Sequence, residues 1–411
     1  MTRTFRLESH PAVPHAARGV VYKPPVNLTE DQLAIKRMVA DFARSELVDG
    51  AFKPETDEQY EVRLRKLAAQ GLLGMTAPAE FGGGGLSYLD ALLAVEEMAK
   101  YDPRSAHEMH TNGTGTASHL WVLGTAEQQE RWLRPICEGR MRCAIAMTEP
   151  EAGSAATEMT TTATPSDDGE SVCVNGGKIF ISGGKYADIF ITYARFGTPP
   201  FEEGGRSIGA LVVEKGTPGF SILRNDHNMA DEDQAQLLFD NCVVPRFNVL
   251  VEGNAFGRLI RIYNRNRLSG MAQALGMATA SYDDAVEHLK VRRQFGRELA
   301  DFQGLQWMLA DMAVQLNACR AVLYQAAAAE NDGELDPLQV SMAKVFIAET
   351  CVRVCDMAIQ LFGGYGYMAE SPVNQRYRRV RGTMIYGGTM QIHRNMIAAR
   401  ILGRRNNQRA R

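Results

Sequence analysis

The chain has 411 residues, 45% of them hydrophobic and 23% charged, with a formal net charge of −3. That is ordinary globular material, long enough to bury two or three cores, and it gives no electrostatic reason to expect nucleic acid. No apolar run reaches the ~18 residues of a membrane span and none follows Arg3 and Arg6 as in a signal peptide; with seven scattered cysteines, a reduced cytoplasmic protein without structural disulfides is expected.

Residues 1–27, punctuated by Pro11, Pro14, Pro24 and Pro25, read as an extended arm. Thr29-Glu30-Asp31-Gln32 is a capping box, in which the Thr hydroxyl and the Gln side chain satisfy each other's backbone amides, and Ile35, Met38, Val39 and Phe42 follow as an apolar stripe. Ser87 to Ala99 carries Leu89, Leu92, Leu93 and Met98 at near-helical spacing, and Thr125-Ala126-Glu127-Gln128 repeats the box before Trp132 and Leu133. Residues 28–145 are therefore expected to be a helical domain. His107, His110 and His119 lie within it but lack a fourth ligand at fixed spacing, so no metal is expected.

The pattern changes near Cys143, and residues 146–255 are expected to form a β domain. Val172-Cys173-Val174, Asn175-Gly176 and Ile179-Phe180-Ile181 spell a hairpin with a type I′ turn. Asp188 to Tyr193, Ile208 to Val213 and Leu237 to Val244 are further strands between Gly, Pro and Asp turns. From Phe256 the helical period returns. Leu305, Leu309, Met312, Leu316, Cys319 and Leu323 step by 4, 3, 4, 3 and 4, the seam of a packed helix, and Val340, Ile347, Cys351, Val354 and Ala358 mark another. Ile392, Met396 and Ile401 stripe the last, which Gly403 should end. Residues 256–411 thus read as a helical bundle with a solvated basic tail, and the fold class is α+β.

Several segments carry chemistry. Met147-Thr148-Glu149-Pro150-Glu151-Ala152-Gly153-Ser154 is a rigid loop offering amides and hydroxyls to an anionic cofactor. Lys178 to Gly183 supplies an aromatic ring and a hydroxyl, Phe180 and Ser182. Arg292-Arg293-Gln294-Phe295-Gly296, with Gln303, offers a guanidinium suited to phosphate. Gln360-Leu361-Phe362-Gly363-Gly364-Tyr365-Gly366 is a Gly-rich turn, and Tyr386-Gly387-Gly388-Thr389-Met390-Gln391 closes the set. None has the strand-to-helix spacing of a dinucleotide-binding G-x-G-x-x-G motif.

In this order, from about Leu28 to Gly403, these segments resemble the acyl-CoA dehydrogenase family. The resemblance implies an N-terminal helical domain, a middle β-barrel or sandwich domain and a C-terminal four-helix bundle, assembled as a homotetramer built from dimers. It implies noncovalent FAD, an acyl-CoA substrate and an electron-transfer flavoprotein as possible acceptor. Met147, Thr148, Ser154, Phe180 and Ser182 would line the flavin; Arg292, Gln294, Phe295, Gln303, Gln360, Gly363, Gly364, Thr389 and Gln391 would hold the dinucleotide, largely across a subunit boundary. Ser154, Asn264 and Arg267 would meet the substrate.

The departures matter more. The family's Tyr-Glu-Gly-Thr supplies the Glu that removes the α-proton, and here that position is Gly387. Other members carry the base in a Glu-Arg pair on the first bundle helix, and the matching residue is Asn266, within Asn264-Arg265-Asn266-Arg267-Leu268. An amide accepts no proton at neutral pH. The chain also resembles, in phrases such as Ala152-Gly153-Ser154-Ala155-Ala156 and Phe302-Gln303-Gly304-Leu305-Gln306-Trp307, the base-lacking acyl-CoA desulfinase branch of the family. There a departing acid group leaves its electrons behind and only an enolate needs stabilising. That branch holds the acid group with an Arg in a Gly-rich loop, whereas Phe81-Gly82-Gly83-Gly84-Gly85 offers only glycine; Arg265 and Arg267 are the candidate replacements. The expectations are an acyl-CoA oxidoreductase with an unusual base, a base-free acyl-CoA desulfinase or decarboxylase, or a non-catalytic FAD- or CoA-binding subunit.

Overall fold

The computed structural model describes residues 27–48, 51–53, 55–201, 204–330 and 334–404. All of the expected N-terminal arm but Asn27, and the basic tail beyond Arg404, lie outside the described residues.

Helix α1 (Glu30–Glu46) begins at the expected capping box: the Thr29 hydroxyl accepts from Gln32 N at 3.2 Å and Gln32 Oε1 accepts from Thr29 N at 3.1 Å. Helix α2 (Asp57–Ala69) starts with the same device, Thr56 and Gln59. Helix α3 (Tyr88–Tyr101), capped by Ser87, is buried along nearly its whole length. On α1, Val39 and Phe42 face the core, but Met38 is 40% exposed because neighbours on a helix point ~100° apart.

Eight strands follow, in the order β6-β7-β3-β2-β4-β5-β8 with β1 beside β4. They are β1 (Cys143–Ala146), β2 (Thr162–Pro165), β3 (Ser171–Ser182), β4 (Ile189–Phe196), β5 (Ile208–Glu214), β6 (Phe220–His227), β7 (Asp233–Pro245) and β8 (Val249–Val251). The parallel partners β1 and β2 share one edge of β4, against Ile189–Thr192 and Arg195–Phe196 respectively. Alternation sorts the two faces: Ile189, Ile191 and Tyr193 pack with Trp132, Ile136 and Leu259, while Phe190 and Ala194 pack with Leu237 and Phe239.

The expected hairpin at Asn175-Gly176 does not form. Residues 171–182 are one strand, antiparallel to β7 throughout, and the register slips between Val174 and Gly176. Asn-Gly here serves a bulge: Asn175 Oδ1 accepts from Asn241 N at 2.8 Å, and a Cβ on Gly176 would lie 2.5 Å from Thr161 Oγ1. A sequence signal for positive φ does not say whether the chain then reverses or continues.

The C-terminal helices are α4 (Phe256–Val291), α5 (Gln303–Ala328), α6 (Pro337–Phe362), α7 (Pro372–Gly382) and α8 (Met390–Ile401). The seam residues Met312, Leu316, Cys319 and Leu323, and Val340, Ile347, Cys351, Val354 and Ala358, are buried as expected. On α8 the stripe fails: Ile401 is 69% exposed, and Met390 and His393 turn inward instead. Gly403, at φ +61°, ends that helix.

One apolar core runs from α1 and α3 into the bundle. Where α3 crosses α4 the backbones nearly touch, since a Cβ on Gly276 would lie 2.1 Å from Glu96 O. Glu96 is fully buried and receives Arg320 Nε at 3.0 Å and the Tyr324 hydroxyl, which clamps α3 to α5. Burial alone would raise its pKa, yet Lys36, Arg320 and Lys100 hold it at about 2. No helix of the described residues is long and apolar enough to cross a membrane.

Candidate active site

The turn at residues 383–388, between α7 and α8, is gripped from three helices. From α6, Lys344 Nζ donates to Thr383 O at 3.0 Å and to Tyr386 O at 2.6 Å. From α4, Arg267 Nε donates to Gly387 O at 2.9 Å, and its Nη1 reaches Asn264 Oδ1 at 2.8 Å. From α8, His393 Nε2 lies 3.1 Å from the same Gly387 carbonyl. A carbonyl only accepts, so that nitrogen carries the proton and the buried Nδ1 is left without a partner. The Tyr386 ring lies against α4, where a Cβ on Gly270 would meet its hydroxyl oxygen at 3.2 Å. Gly387 has φ +68° and Gly388 φ +96°, a backbone that glycine adopts without strain.

The turn is therefore surrounded by positive charge. Lys344 is fully buried and Arg267 nearly so. Burial, and then the neighbouring Arg267, push the Lys344 pKa down to about 7. Burial likewise lowers Arg267. His393 is pressed down to about 3 by burial and by both cations, and so stays neutral. Among the described residues, neither Arg267 nor Lys344 has a carboxylate partner; their hydrogen bonds go to carbonyl oxygens and an amide.

Arg265, expected to act with Arg267, is not brought to the turn. It pairs with Glu330 and lies over the Tyr88 ring, 4.8 Å from its centroid, because residues two apart on a helix face away from each other. Asn266 faces a third way: its Oδ1 receives the Thr116 hydroxyl at 3.4 Å and blocks any Cβ on Gly115, at 2.0 Å. The Gly82–Gly85 loop folds back onto residues 74–78, with Gly84 N donating to Gly74 O and Gly85 N to Ala77 O, both at 3.0 Å. A Cβ would lie 2.1 Å from Ala77 O on Gly83 and 2.9 Å from Met75 O on Gly84, so a side chain at either position requires the backbone to shift.

On the β domain, the Met147–Ser154 loop is anchored from beneath. Lys178 is fully buried, and its Nζ donates to Glu149 Oε1 at 2.8 Å and to Met147 O at 3.1 Å. Glu149 also accepts from Thr160 N at 2.6 Å and Thr161 N at 3.0 Å. Burial opposes both charges, but the pairing leaves Glu149 at about 2 and Lys178 at about 8, a charged pair at neutral pH. Thr148 O accepts from Ile179 N at 2.9 Å, which stitches the loop to β3. A second bulge, between Lys178 and Ile181, then throws Phe180 outward at φ +57° with its ring 66% exposed. A bulky residue in the left-handed region is strained by roughly 1–3 kcal/mol, and such strain clusters at functional sites. Ser182 Oγ donates to Gln234 Oε1 at 3.1 Å, and Ser154 is exposed.

At the far end of the bundle, Arg292 follows α4 and lies 5.5 Å from the centroid of Tyr365, next to the Gly363–Gly364 turn. His288 stacks on Phe362 at 4.3 Å, which joins the ends of α4 and α6. Strands β9 (Arg293–Gln294) and β10 (Arg297–Glu298) form a hairpin whose turn residues, Phe295 and Gly296, have φ +51° and +80°. Phe295 is 93% exposed. Gln303, Gln360 and Gln391 are also exposed, while Thr389 caps α8 by accepting from Ile392 N at 3.3 Å.

Sequence reasoning missed Lys344, His393 and the Glu149–Lys178 pair. A signal for Lys344 existed: it completes the 340, 344, 347, 351, 354, 358 seam, and a lysine in an apolar seam has to find polar partners.

Family models match nearly all of the described chain: the acyl-CoA dehydrogenase N-terminal domain over residues 29–140, the middle domain over 144–242 and the C-terminal domain over 256–402. An acyl-CoA dehydrogenase of Bacillus subtilis is 35% identical over 382 residues, 92% of this chain and 100% of that one. A subunit of the caffeyl-CoA reductase–Etf complex of Acetobacterium woodii is 33% identical, over 91% of this chain and 99% of its own. The butyryl-CoA dehydrogenase structure from Megasphaera elsdenii superposes with a TM-score of 0.85 at 34% identity, covering 92% of this chain and 99% of that one.

Proposed function

The chain belongs to the acyl-CoA dehydrogenase family, and from that premise we propose an FAD-dependent enzyme that acts at the α,β carbons of an acyl-CoA thioester without a carboxylate base at either usual position. The observation that supports this is the 383–388 turn. It keeps a full set of grips from Lys344, Arg267 and His393, yet the residue at its centre, Gly387, has no side chain.

The residues present suit FAD. The strained, outward ring of Phe180 offers a flat face to an isoalloxazine, with Met147, Thr148, Ser154 and Ser182 as neighbours. Arg292 suits a diphosphate, with Gln294, Phe295, Gln303, Gln360, Gly363, Gly364, Thr389 and Gln391 completing the dinucleotide site. Bound FAD supplies two-electron redox chemistry. Arg267, by fixing the Gly387 carbonyl, and Lys344, by fixing those of Thr383 and Tyr386, hold the turn beside the thioester's α-carbon.

A homotetramer built from dimers is part of this reading. Val291, Phe295, Trp307 and Val314 are each more than 60% exposed around the α4–α5 connection, which is apolar surface suited to cover by a second subunit. An electron-transfer flavoprotein is the proposed acceptor, by analogy with the Etf-complex relative. The lack of carboxylates favours a second reading, in which loss of a sulfinate or carboxylate from the acyl chain replaces proton removal.

Anaerobic titration of the FAD-loaded protein with a panel of acyl-CoAs tests the proposal. Spectral response to thioesters with slow bleaching by butyryl-CoA or octanoyl-CoA is expected. Protein that cannot be reconstituted with FAD would sink the assignment, and fast bleaching would sink the base-free part of it.

A further inference from the structure

The charge around Gly387 is unbalanced: Lys344 and Arg267 both border this glycine, and among the described residues no carboxylate pairs with either. An ammonium has three N–H donors, and Lys344 Nζ gives two of them to the carbonyls of Thr383 and Tyr386. A Cβ built on Gly387 would have as its three nearest atoms that same Nζ at 3.5 Å, Arg267 Cγ at 3.6 Å and Lys344 Cε at 3.9 Å, all ordinary contacts. A group that begins where the family's glutamate would begin thus meets the ammonium without overlap. Two buried cations from two different helices repel each other beside this glycine.

Removing ions from water is costly unless a counter-charge is met, so a buried cation pair of this kind is incomplete without an anion. Burial first, and Arg267 second, push the Lys344 pKa down to about 7, the direction expected of a buried cation without a counter-charge. Arg265, by contrast, is neutralised by Glu330, and Lys178 by Glu149. The uncompensated pair is confined to the turn where the base is missing.

We propose that Lys344 and Arg267 form an anion subsite at Gly387 that takes an acid group carried by the acyl chain of the substrate, so that the preferred thioesters are those of dicarboxylic or sulfinocarboxylic acids. This rests on the acyl-CoA reading and narrows it to a substrate class. Glycine at 387 is then the specificity determinant, because a glutamate there would fill the subsite and repel the substrate's acid. Lys344 meets that acid directly, and Arg267 adds charge while it holds the turn.

Flavin absorbance changes of the FAD-loaded protein, recorded anaerobically, report binding of succinyl-CoA, glutaryl-CoA, butyryl-CoA and valeryl-CoA. The acid-bearing thioesters should bind at least about tenfold more tightly, the scale of one charged hydrogen bond. Lys344→Met should bring the ratio of butyryl-CoA to succinyl-CoA dissociation constants down to about one, whereas a merely loosened turn would weaken both thioesters and keep their ratio; a ratio still near ten in the variant overturns the subsite. Sodium acetate gives a variant-free arm: it should compete with succinyl-CoA and not with butyryl-CoA. Equal binding of the two thioester classes overturns the subsite and leaves the acyl-CoA function standing, whereas no response to any thioester removes both. Acetate that accelerates butyryl-CoA bleaching, without a preference for acid-bearing thioesters, would assign the subsite to free carboxylate and overturn the substrate class.

Discussion

Restoring a carboxylate by Gly387→Glu puts the reading of the turn to a direct test. Gly387 sits at φ +68°, so any side chain there costs about 1–2 kcal/mol of backbone strain. The space is available, since a Cβ would make ordinary contacts of 3.5 Å with Lys344 Nζ and 3.6 Å with Arg267 Cγ. A glutamate would gain a charged hydrogen bond from Lys344, worth about 1.5–3 kcal/mol. The two contributions nearly cancel, and the melting temperature should move by no more than about 2–4 °C. Catalysis should move far more. A positioned base contributes ~10²–10⁴-fold; with two cations beside it the carboxylate's pKa is drawn down, so a gain of about 10²–10³-fold in anaerobic bleaching by butyryl-CoA is expected. A folded, FAD-loaded variant with no gain would refute the placement of Gly387 beside the α-carbon. Wild-type protein that already bleaches fast would mean a carboxylate acts from elsewhere.

Lys344, held at about 7 by burial and Arg267 against an ordinary value of 10.5, should make stability depend on pH. Below pH 7 both states carry the proton and the penalty is complete; between about 7 and 10.5 the unfolded state binds more protons, so stability rises with pH, by about 1.4 kcal/mol per unit. Arg267, His393 and Tyr386 are the groups facing it, and urea midpoints of Lys344→Met across pH 6 to 9 should lack that slope. Glu96 gives a slope of the same sign in acid, but as a gain and not a relieved penalty: its pKa near 2 contributes stability that is present above about 4.5 and lost as pH falls toward 2. Glu96→Gln strips Arg320 of its buried counter-charge and should cost about 3–5 kcal/mol in denaturant unfolding. Arg292→Ala should weaken FAD binding by about 1.5–3 kcal/mol, read by equilibrium dialysis; unchanged affinity would remove that residue from the dinucleotide site.

The sequence by itself determined the local devices and the family. Capping boxes at Thr29 and Thr125, the heptad seams of α5 and α6, and the helical stop at Gly403 are legible because each depends on residues within a turn or two of one another. That Gly387 and Asn266 carry no carboxylate is legible too, since the identity of a residue needs no geometry to be noticed. Tertiary structure alone decided how Asn175-Gly176 is used, because β7, a distant segment, pairs with the chain on both sides of it and so carries the strand straight through the bulge. It also decided the fate of two arginines that look equivalent on paper: helix periodicity turns Arg265 to Glu330 and Arg267 to Gly387. Lys344 is 43 residues from Gly387 in the chain and reaches it only because α6 packs against the 383–388 turn. Charge balance at a buried site is a sum over everything that folds around it, and no single segment of the chain contains that sum.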